Sequence, residues 1–270
     1  MMNWNLIDNY GLSLIMPEHL PGVKLAFSTR GGGVSRDSLS SLNLALHVGD
    51  DSSRVIENRR RFMQALQLRV GDMVCCRQVH GSSVLQITAE HRGRGALAMV
   101  DVVADADAMF TDQTGLALCT FYADCIPLLF YDPITHCIGM AHAGWKGTMA
   151  QIGAATLQAM LAACGLQAET VQVFIGPGID TCCFAIGDDL AKRVEQNFPD
   201  HKGILRQHQG QTFWDLKLSN RLQLLDWGVA EENIHISQLC TSCCPDCFFS
   251  HRRDHGETGR MAALICLEEQ

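Results

Sequence analysis

The sequence predicts a mixed α/β protein with one domain over residues 1–270. The class follows from short apolar runs rich in β-branched residues, which alternate along the chain with segments of helical periodicity. The single domain follows from length and composition: 270 residues, 47% of them hydrophobic, can build one large core. The seven prolines are scattered rather than gathered into a linker, and we see no internal repeat.

The predicted strands are short apolar runs, most of which end in Gly, Asp or Pro. They are Val23–Thr29, Ser83–Thr88, Cys119–Phe130, Ile138–His142, Val171–Ile175 and Met261–Leu267. The predicted helices lie between these strands and repeat their apolar residues at helical spacing. They are Ser52–Leu66, Thr148–Cys164, Asp188–Asn197 and Asp215–Trp227.

Two of these helices have a readable physical basis. Asp51 and the serines after it offer oxygens that can cap the amphipathic run containing Val55 and Phe62. The helix from Thr148 is rich in Ala, Leu and Met and has few charges. We therefore expect that helix to pack on a sheet as part of the core rather than to carry function.

Composition excludes several classes of function. With 21 Lys+Arg against 29 Asp+Glu and a net charge of -8, the chain offers no broad basic surface, so nucleic acid is not expected as a partner. Met1–Leu20 has neither a basic leader nor a continuous apolar run, and no segment has the roughly 18 apolar residues of a spanning helix. The thirteen cysteines are odd in number and several are adjacent in sequence. We expect free thiols in a reducing compartment, the cytoplasm, and no membrane partner.

Three short segments carry side chains that bind metals. They are Gln78–Gly81, Ala123–Pro127 and Ala141–Trp145, which contain His80, Cys125 and His142 respectively. Each is predicted at a strand end or turn, where α/β scaffolds expose catalytic groups. Two imidazoles and one thiolate suit Zn²⁺, and three protein ligands leave a fourth tetrahedral position open, as in catalytic zinc sites. Spacing alone does not select this triple, because eleven His and thirteen Cys allow many others.

A series of motifs distributed over nearly the whole chain adds a specific resemblance. In order they are Ser28–Gly32, Ser41–Leu44, His47–Asp50, Glu57–Arg59, Gln78–Gly81, Ala123–Pro127, Ala141–Thr148, Gly176–Ile179 and Phe248–Asp254. Together they resemble the YfiH-like family, long described as laccase-like or polyphenol oxidase and now associated with purine nucleoside phosphorylase activity. The resemblance implies stacked mixed β-sheets flanked by helices, a fold similar to the catalytic domain of cytotoxic necrotizing factor.

The same resemblance implies one zinc ion held by His80, Cys125 and His142. It also implies phosphorolysis of adenosine, inosine or S-methyl-5′-thioadenosine, with adenosine deamination to inosine at the same site. Deamination needs an activated water at purine C6, which zinc can supply. Phosphorolysis needs an anion pocket, and guanidinium groups bind phosphate bidentately. The candidate phosphate ligands are Arg30, Arg59 and Arg252, each of which could instead form an ordinary salt bridge.

Other residues of these motifs have two readings each. Asn43 and Gln78 could bind ribose or base, or could brace a loop. Asp124 could be a general acid or base, or could orient a ligand imidazole. Gly144 permits close backbone approach beside the metal, and Trp145 is expected to form a pocket wall.

Other functions remain open at this stage. A cysteine hydrolase would use Cys125 as nucleophile with His142 or His80 as base. A metal-dependent amide hydrolase acting on peptidoglycan precursors would use the same zinc. Copper could replace zinc adventitiously and give weak phenol oxidation, although no His-x-His ladder for several coppers is present. A non-catalytic metal-binding protein, and either a monomer or a small homo-oligomer, are also compatible with the sequence.

The cysteine-rich segment Cys240–Cys247 is a further candidate metal site. Cys240, Cys243, Cys244 and Cys247 form two Cys-x-x-Cys steps, a spacing that often binds structural zinc. Eight contiguous residues give little reach for a tetrahedron, however. The sequence therefore favours a buried or redox-sensitive loop over a second metal site.

Overall fold

The computed structural model describes residues 4–18 and 20–268, which form two six-stranded sheets, one three-stranded sheet and five α-helices. The first sheet consists of β1 Trp4–Asn9, β2 Leu12–Pro17, β3 Val23–Ser28, β4 Met73–Cys75, β7 Ala117–Tyr122 and β15 Met261–Leu267. Its spatial order is β1-β2-β3-β15-β7-β4. Neighbouring strands are antiparallel except for β4 and β7, which are parallel.

The second sheet consists of β5 Val84–Gln86, β6 Ala108–Thr111, β8 Ile126–Asp132, β9 Cys137–Ala143, β10 Gln172–Ile175 and β14 Ile234–Ile236. Its order is β14-β10-β8-β9-β6-β5, with parallel pairs at both edges. The small third sheet has the order β11-β13-β12, from β11 Ala185–Ile186, β12 Leu205–His208 and β13 Gln211–Trp214. The helices are α1 Ser52–Ala65, α2 Trp145–Met149, α3 Ile152–Cys164, α4 Asp188–Asn197 and α5 Leu216–Asp226.

The two large sheets stack face to face. Phe27 and Tyr122 of the first sheet share a buried cluster with Leu129 and Met140 of the second. The outer face of the first sheet packs on α1 through Phe62, and the outer face of the second packs on α3 and α5. The predicted mixed α/β class, with stacked sheets flanked by helices, is confirmed.

Several predicted elements need new bounds. The run Cys119–Phe130 is not one strand, because the chain turns at Asp124, whose φ is +88°, and passes from β7 in the first sheet to β8 in the second. The run Thr148–Cys164 is not one helix, because Gln151 adopts a left-handed conformation between α2 and α3. There the Gln223 side chain donates to the Thr148 carbonyl oxygen at 3.1 Å.

The remaining predicted strands and helices lie where the sequence placed them, within a few residues at each end. The first helix is capped as expected, since the Asp51 side chain accepts a hydrogen bond from the Ser53 N–H. Among the residues that the structure describes, no helix is both long and apolar enough to cross a membrane.

Candidate metal centre and substrate pocket

Three side chains from separate parts of the fold meet at one point. Cys125 lies in the turn between β7 and β8, His142 lies near the end of β9, and His80 lies in the connection from β4 to β5. One ligand atom from each lies within 4.8 Å of the others, and the two imidazole centroids are 4.9 Å apart. The structure thus brings together the three residues predicted as ligands. Two nitrogens and one sulfur suit a tetrahedral zinc ion with one open position.

The carboxylate of Asp107 positions two of these three residues. Its Oδ1 accepts from the His142 Nδ1 at 2.9 Å and from the backbone N–H of His80 at 3.0 Å. Its Oδ2 accepts from the N–H groups of Gly81 at 2.7 Å and Val79 at 3.1 Å. With Nδ1 bonded to the carboxylate, His142 has Nε2 available for a metal. Asp107 is fully buried, and although burial opposes ionisation, these donors lower its pKa.

Gly144 makes room for the ligand atoms. A Cβ at this position would lie 2.9 Å from the Cys125 Sγ and 3.2 Å from the His80 Cδ2. Real Cβ atoms essentially never come within 3.0 Å of another atom, so a side chain here would displace the sulfur, and the 3.2 Å contact would also crowd the imidazole. This confirms the expected close backbone approach at Gly144.

The site favours the thiolate form of Cys125. Burial disfavours ionisation, but the neighbouring His142 and His80 outweigh it and lower the pKa of Cys125 to about 6. Burial also acts to lower the pKa of His142, and there the thiolate and Asp107 outweigh it and raise that pKa. Because the thiolate is the form that binds metals, Cys125 is prepared for ligation at neutral pH.

The three ligands lie in a cavity of about 490 Å³, within the range of small-molecule sites. Its apolar wall is formed by Phe121, Trp145, Ile179, Phe184 and Leu216. Its polar lining includes His47, Gln78, Asp124, His251, Arg252 and Arg260. A pocket whose lining contains both aromatic side chains and guanidinium groups suits a ligand that combines an aromatic base with an anion.

Of the three arginines predicted to bind phosphate, only Arg252 lines the pocket. Its Nη1 donates to the Ala185 carbonyl at 2.9 Å, and its guanidinium carbon lies 5.0 Å from the Phe184 ring centroid. The prediction for Arg59 is wrong, because the side chain is fully buried and donates to the carbonyls of Leu44, Gly95 and Ala96. Arg30 lies outside the pocket lining, where it donates to the Ser40 carbonyl and covers the Phe249 ring.

Asn43 and Gln78 serve as braces. Asn43 is fully buried, and its amide bonds to Asp50, Ala45 and the backbone N–H of Arg260, so the prediction that it binds substrate is wrong. Gln78 borders the pocket, but its amide bonds both the N–H and the carbonyl of Phe121 at 2.8 and 2.9 Å. Any contact between Gln78 and a ligand must be made alongside these two bonds.

Asp124 does not orient a ligand imidazole, since Asp107 fills that role. The Asp124 carboxylate accepts from the hydroxyls of Thr241 and Ser250 at 2.6 and 3.0 Å, and from the Arg252 N–H at 2.7 Å. These bonds tie the turn that carries Cys125 to the segment that carries Arg252. The general acid or base role of Asp124 stays a prediction.

Sequence reasoning assigned no role to three residues of the site. Asp107 was hidden among neighbouring acidic residues at positions 101–107. His47 belongs to the motif His47–Asp50, and in the pocket its pKa is lowered to about 4 by burial and by the cationic Arg260 and Arg59. Arg260, just before β15, supplies a second guanidinium to the pocket, and burial lowers its pKa.

Both the sequence and the fold of the chain are similar to those of known proteins. The family model described as "Multi-copper polyphenol oxidoreductase laccase" matches residues 24–268. Purine nucleoside phosphorylase YlmD of Geobacillus stearothermophilus is 38% identical over 251 residues, 92% of each chain. The protein of the same name from Bacillus subtilis is 36% identical over 248 residues, 90% of this chain and 88% of the relative. The crystal structure of YlmD from Geobacillus stearothermophilus has a TM-score of 0.93, at 36% identity over 98% of this chain and 99% of that one. That of the Bacillus licheniformis hypothetical protein YfiH has a TM-score of 0.91, at 35% identity over 97% and 98%.

Proposed function

The chain belongs to the laccase-like YfiH family, and we propose that it is a zinc-dependent purine nucleoside phosphorylase. Two similar proteins, from Geobacillus stearothermophilus and Bacillus subtilis, are named purine nucleoside phosphorylase YlmD. In the proposed reaction phosphate attacks C1′ of the ribose, the glycosidic C–N bond breaks, and the products are a free purine base and ribose 1-phosphate. Adenosine, inosine and S-methyl-5′-thioadenosine are the proposed substrates. Adenosine deamination is the proposed accompanying activity.

The observation that carries this proposal is the meeting of a metal-ligand triad and two guanidinium groups in one cavity. His80, Cys125 and His142 form the triad, and Arg252 and Arg260 lie in the same lining. Their positive charges favour a phosphate dianion, which a guanidinium binds with two parallel hydrogen bonds. No such anion site would be needed for a purely hydrolytic reaction of a neutral nucleoside.

The apolar wall is suited to a purine. Trp145 and Phe184 present aromatic surface to the cavity, and Ile179 and Leu216 extend it. A planar base packed there loses contact with water, and its ribose would face the polar lining. Zinc, when bound, supplies Lewis-acid chemistry that stabilises negative charge on the reacting ligand. His80, Cys125 and His142 would hold it, and Asp107 would keep the His142 Nε2 turned towards it.

The direct test incubates the purified protein with adenosine in the presence and absence of phosphate. Free adenine, hypoxanthine, inosine and ribose 1-phosphate are separated by chromatography. The proposal predicts phosphate-dependent release of adenine, with ribose 1-phosphate equal to the sum of adenine and hypoxanthine, because inosine formed by deamination is itself a proposed substrate. Inosine without either free base would leave only the deaminase, and the absence of both inosine and free bases would refute both activities.

A matched pair of variants ties that activity to the site. Cys125→Ser should lose activity, because an alcohol is a much poorer zinc ligand than a thiolate. Cys164→Ser, a half-buried cysteine at the end of α3, should retain activity. Equal activity of the two variants would contradict the assignment.

The geometry favours one second candidate, a cysteine-dependent amide hydrolase. Cys125, His142 and Asp107 are arranged as nucleophile, base and orienting carboxylate, and the low pKa of Cys125 fits such a role. Metal content separates the two functions, because a thiolate bound to zinc is not a free nucleophile. Zinc removal should abolish phosphorolysis but would leave or enhance a cysteine hydrolase.

The remaining alternatives have less support. Within residues 4–18 and 20–268, the only two groups of three or more potential metal ligands are the triad and a cluster of four cysteines. Neither is a histidine-rich site for several coppers, so phenol oxidation would rest on adventitious copper in the triad. A metal-dependent amide hydrolase of peptidoglycan precursors and a non-catalytic metal-binding protein would both fail to release adenine in the direct test. We further propose that the protein acts in the cytoplasm as a monomer or small homo-oligomer.

A further inference from the structure

Four cysteines meet at a second point in the described part of the chain. They are Cys182, Cys183, Cys240 and Cys243, and their Sγ atoms all lie within 4.8 Å of one another. The Cys243 Sγ lies 3.3 Å from that of Cys182 and 3.4 Å from that of Cys183. This group differs from the candidate site in the sequence, which consisted of the Cys240–Cys247 segment alone. Cys244 and Cys247 instead pack against the apolar cluster between the two sheets.

This arrangement removes the objection that applied to a single short segment. A structural zinc site gathers ligands from two separate stretches of chain, and here Cys182 and Cys183 come from one loop and Cys240 and Cys243 from another. With Zn–S bonds of about 2.3 Å, the sulfurs of a tetrahedral site stand about 3.8 Å apart. The two shortest observed separations, 3.3 and 3.4 Å, are about 0.5 Å below that value, and all four sulfurs lie within 4.8 Å of one another. Small side-chain movements would therefore complete a tetrahedron.

Backbone contacts hold the two loops together independently of the sulfurs. Gly178 and Cys240 form an isolated parallel bridge, and the Thr241 N–H donates to the Gly178 carbonyl at 3.2 Å. The second loop is also fixed on its own, because the Arg253 Nη1 donates to the Thr241 carbonyl at 3.0 Å. The four thiols are therefore gathered by the fold, which lowers the entropic cost of binding an ion.

We propose that Cys182, Cys183, Cys240 and Cys243 bind a second metal ion, with zinc as the occupant. Four thiolates in a tetrahedron form a closed, soft site that leaves no position for substrate, and zinc is the common redox-inert ion for such a site. The ion would have a structural role. It would pin the loop whose Cys183 and Ala185 carbonyls accept from Arg252 and whose Phe184 forms part of the pocket wall.

The site can be tested by counting metal ions. Wild-type protein, purified under reducing conditions with zinc in the growth medium, should contain two zinc ions per chain, one in each group of ligands. Cys243→Ser should contain one, and because this side chain is exposed the variant should fold. Cys247→Ser is the matched control from the same segment and should retain two. Cys125→Ser should contain one, which must be the ion bound by the four cysteines.

These variants separate failure of this proposal from failure of the proposed function. A wild type with a single zinc that only Cys125→Ser removes would overturn the second site and leave the triad intact. Two ions that both persist in Cys243→Ser would also overturn it. So would a disulfide from Cys243 to Cys182 or Cys183 in protein purified under the same conditions, detected as a loss of two hydrogens from the intact mass of the wild type but not of Cys243→Ser.

Cobalt substitution provides a second readout that does not depend on activity. Thiolate-to-cobalt charge-transfer absorption reports Co–S bonds, of which the triad supplies one and the four-cysteine site four. Cys243→Ser should therefore lose most of this absorption, while Cys247→Ser keeps it and Cys125→Ser loses the smaller share. Equal spectra for wild type and Cys243→Ser would overturn the proposal.

Discussion

Replacing Asp107 by asparagine should weaken zinc binding at the triad without unfolding the protein. All four groups around the carboxylate are donors: the His142 Nδ1 and three backbone N–H groups. An asparagine has one acceptor oxygen and one amide donor, so in either orientation two of the four donors face an N–H₂ group. The substitution therefore damages the ligand geometry whichever way the amide turns.

The two orientations act through different ligands. If the Asn oxygen faces His142, the bonds to Val79 and Gly81 are lost and the loop that carries His80 loosens. If the amide nitrogen faces His142, the Nδ1 must become an acceptor, the proton moves to Nε2, and that nitrogen can no longer bind a metal. Loss of such an orienting partner typically costs 10–100-fold in metal affinity, which is about 1.4–2.7 kcal/mol.

The affinity is measured by zinc competition with a chromophoric chelator, in a Cys243→Ser background so that one site is present. Asp105→Asn is the matched control, because Asp105 is two residues away, its side chain is 56% exposed and it pairs with Arg77. Circular dichroism and thermal melting verify that each variant is folded. A folded Asp107→Asn that binds zinc within twofold of the control would refute the positioning role of this carboxylate.

Three further predictions follow from the pocket. Gly144→Ala should lower zinc occupancy and activity at least about tenfold, because its Cβ would lie 2.9 Å from the Cys125 Sγ. Gly187→Ala, which has nothing within 4 Å of the added Cβ, should retain both zinc and activity. An equal loss in the two variants would contradict the steric argument. Arg252→Gln should raise the KM for phosphate about tenfold or more in a continuous adenosine assay, because a charged hydrogen bond of about 1.5–3 kcal/mol is lost. Arg30→Gln should not change this KM, and an unchanged KM in Arg252→Gln would exclude Arg252 from the anion site. In metal-free protein the rate at which iodoacetamide alkylates Cys125 should fall as the pH drops through about 6, because the thiolate is lost below the pKa of this cysteine. Bound zinc should protect the thiol. If the midpoint of the rate against pH lay near 9, the two histidines would not stabilise the thiolate.

The sequence was sufficient for the class of fold and for some of the buried strands, but the buried strands β2, β4 and β6 were not predicted. Met261–Leu267 was predicted with its observed bounds because a strand buried on both faces is a continuous apolar run. The prediction of Cys119–Phe130 as one strand was wrong for the same reason. The two strands it contains are both buried, so hydrophobicity does not mark the turn at Asp124 that sends them into different sheets.

The sequence contained a pattern that indicates burial of Arg59, but the prediction followed the charge of this residue instead. Guanidinium chemistry suggested a phosphate ligand, but Arg59 follows Val55 by four residues and precedes Phe62 by three. Those spacings place it on the apolar stripe of α1, facing the first sheet. There its Nε and Nη1 donate to three carbonyl oxygens, and its guanidinium carbon lies 4.6 Å from the Phe121 ring centroid. Helical periodicity was therefore the better guide to this residue than its charge.

Asp107 could not be chosen from the sequence, because the difference between it and Asp105 exists only in three dimensions. Both lie in the same short acidic stretch, and the backbone turns one carboxylate to the surface and the other beneath the loop of His80. The ligands themselves are separated by 45 and 17 residues, distances at which sequence spacing carries no geometric information. Only the resemblance to a family selected them.

The location of the triad links metal binding to assembly of the fold. Cys125 lies where the chain passes from the first sheet to the second, His80 lies in another connection between the same two sheets, and His142 lies near the end of a central strand of the second. The three ligands can therefore meet only after the sheets have stacked. An ion that binds the stacked state but not its separate parts stabilises that state by mass action, by about 4 kcal/mol at a free concentration a thousandfold above Kd. An ion held by the triad would thus stabilise the packing of the two sheets.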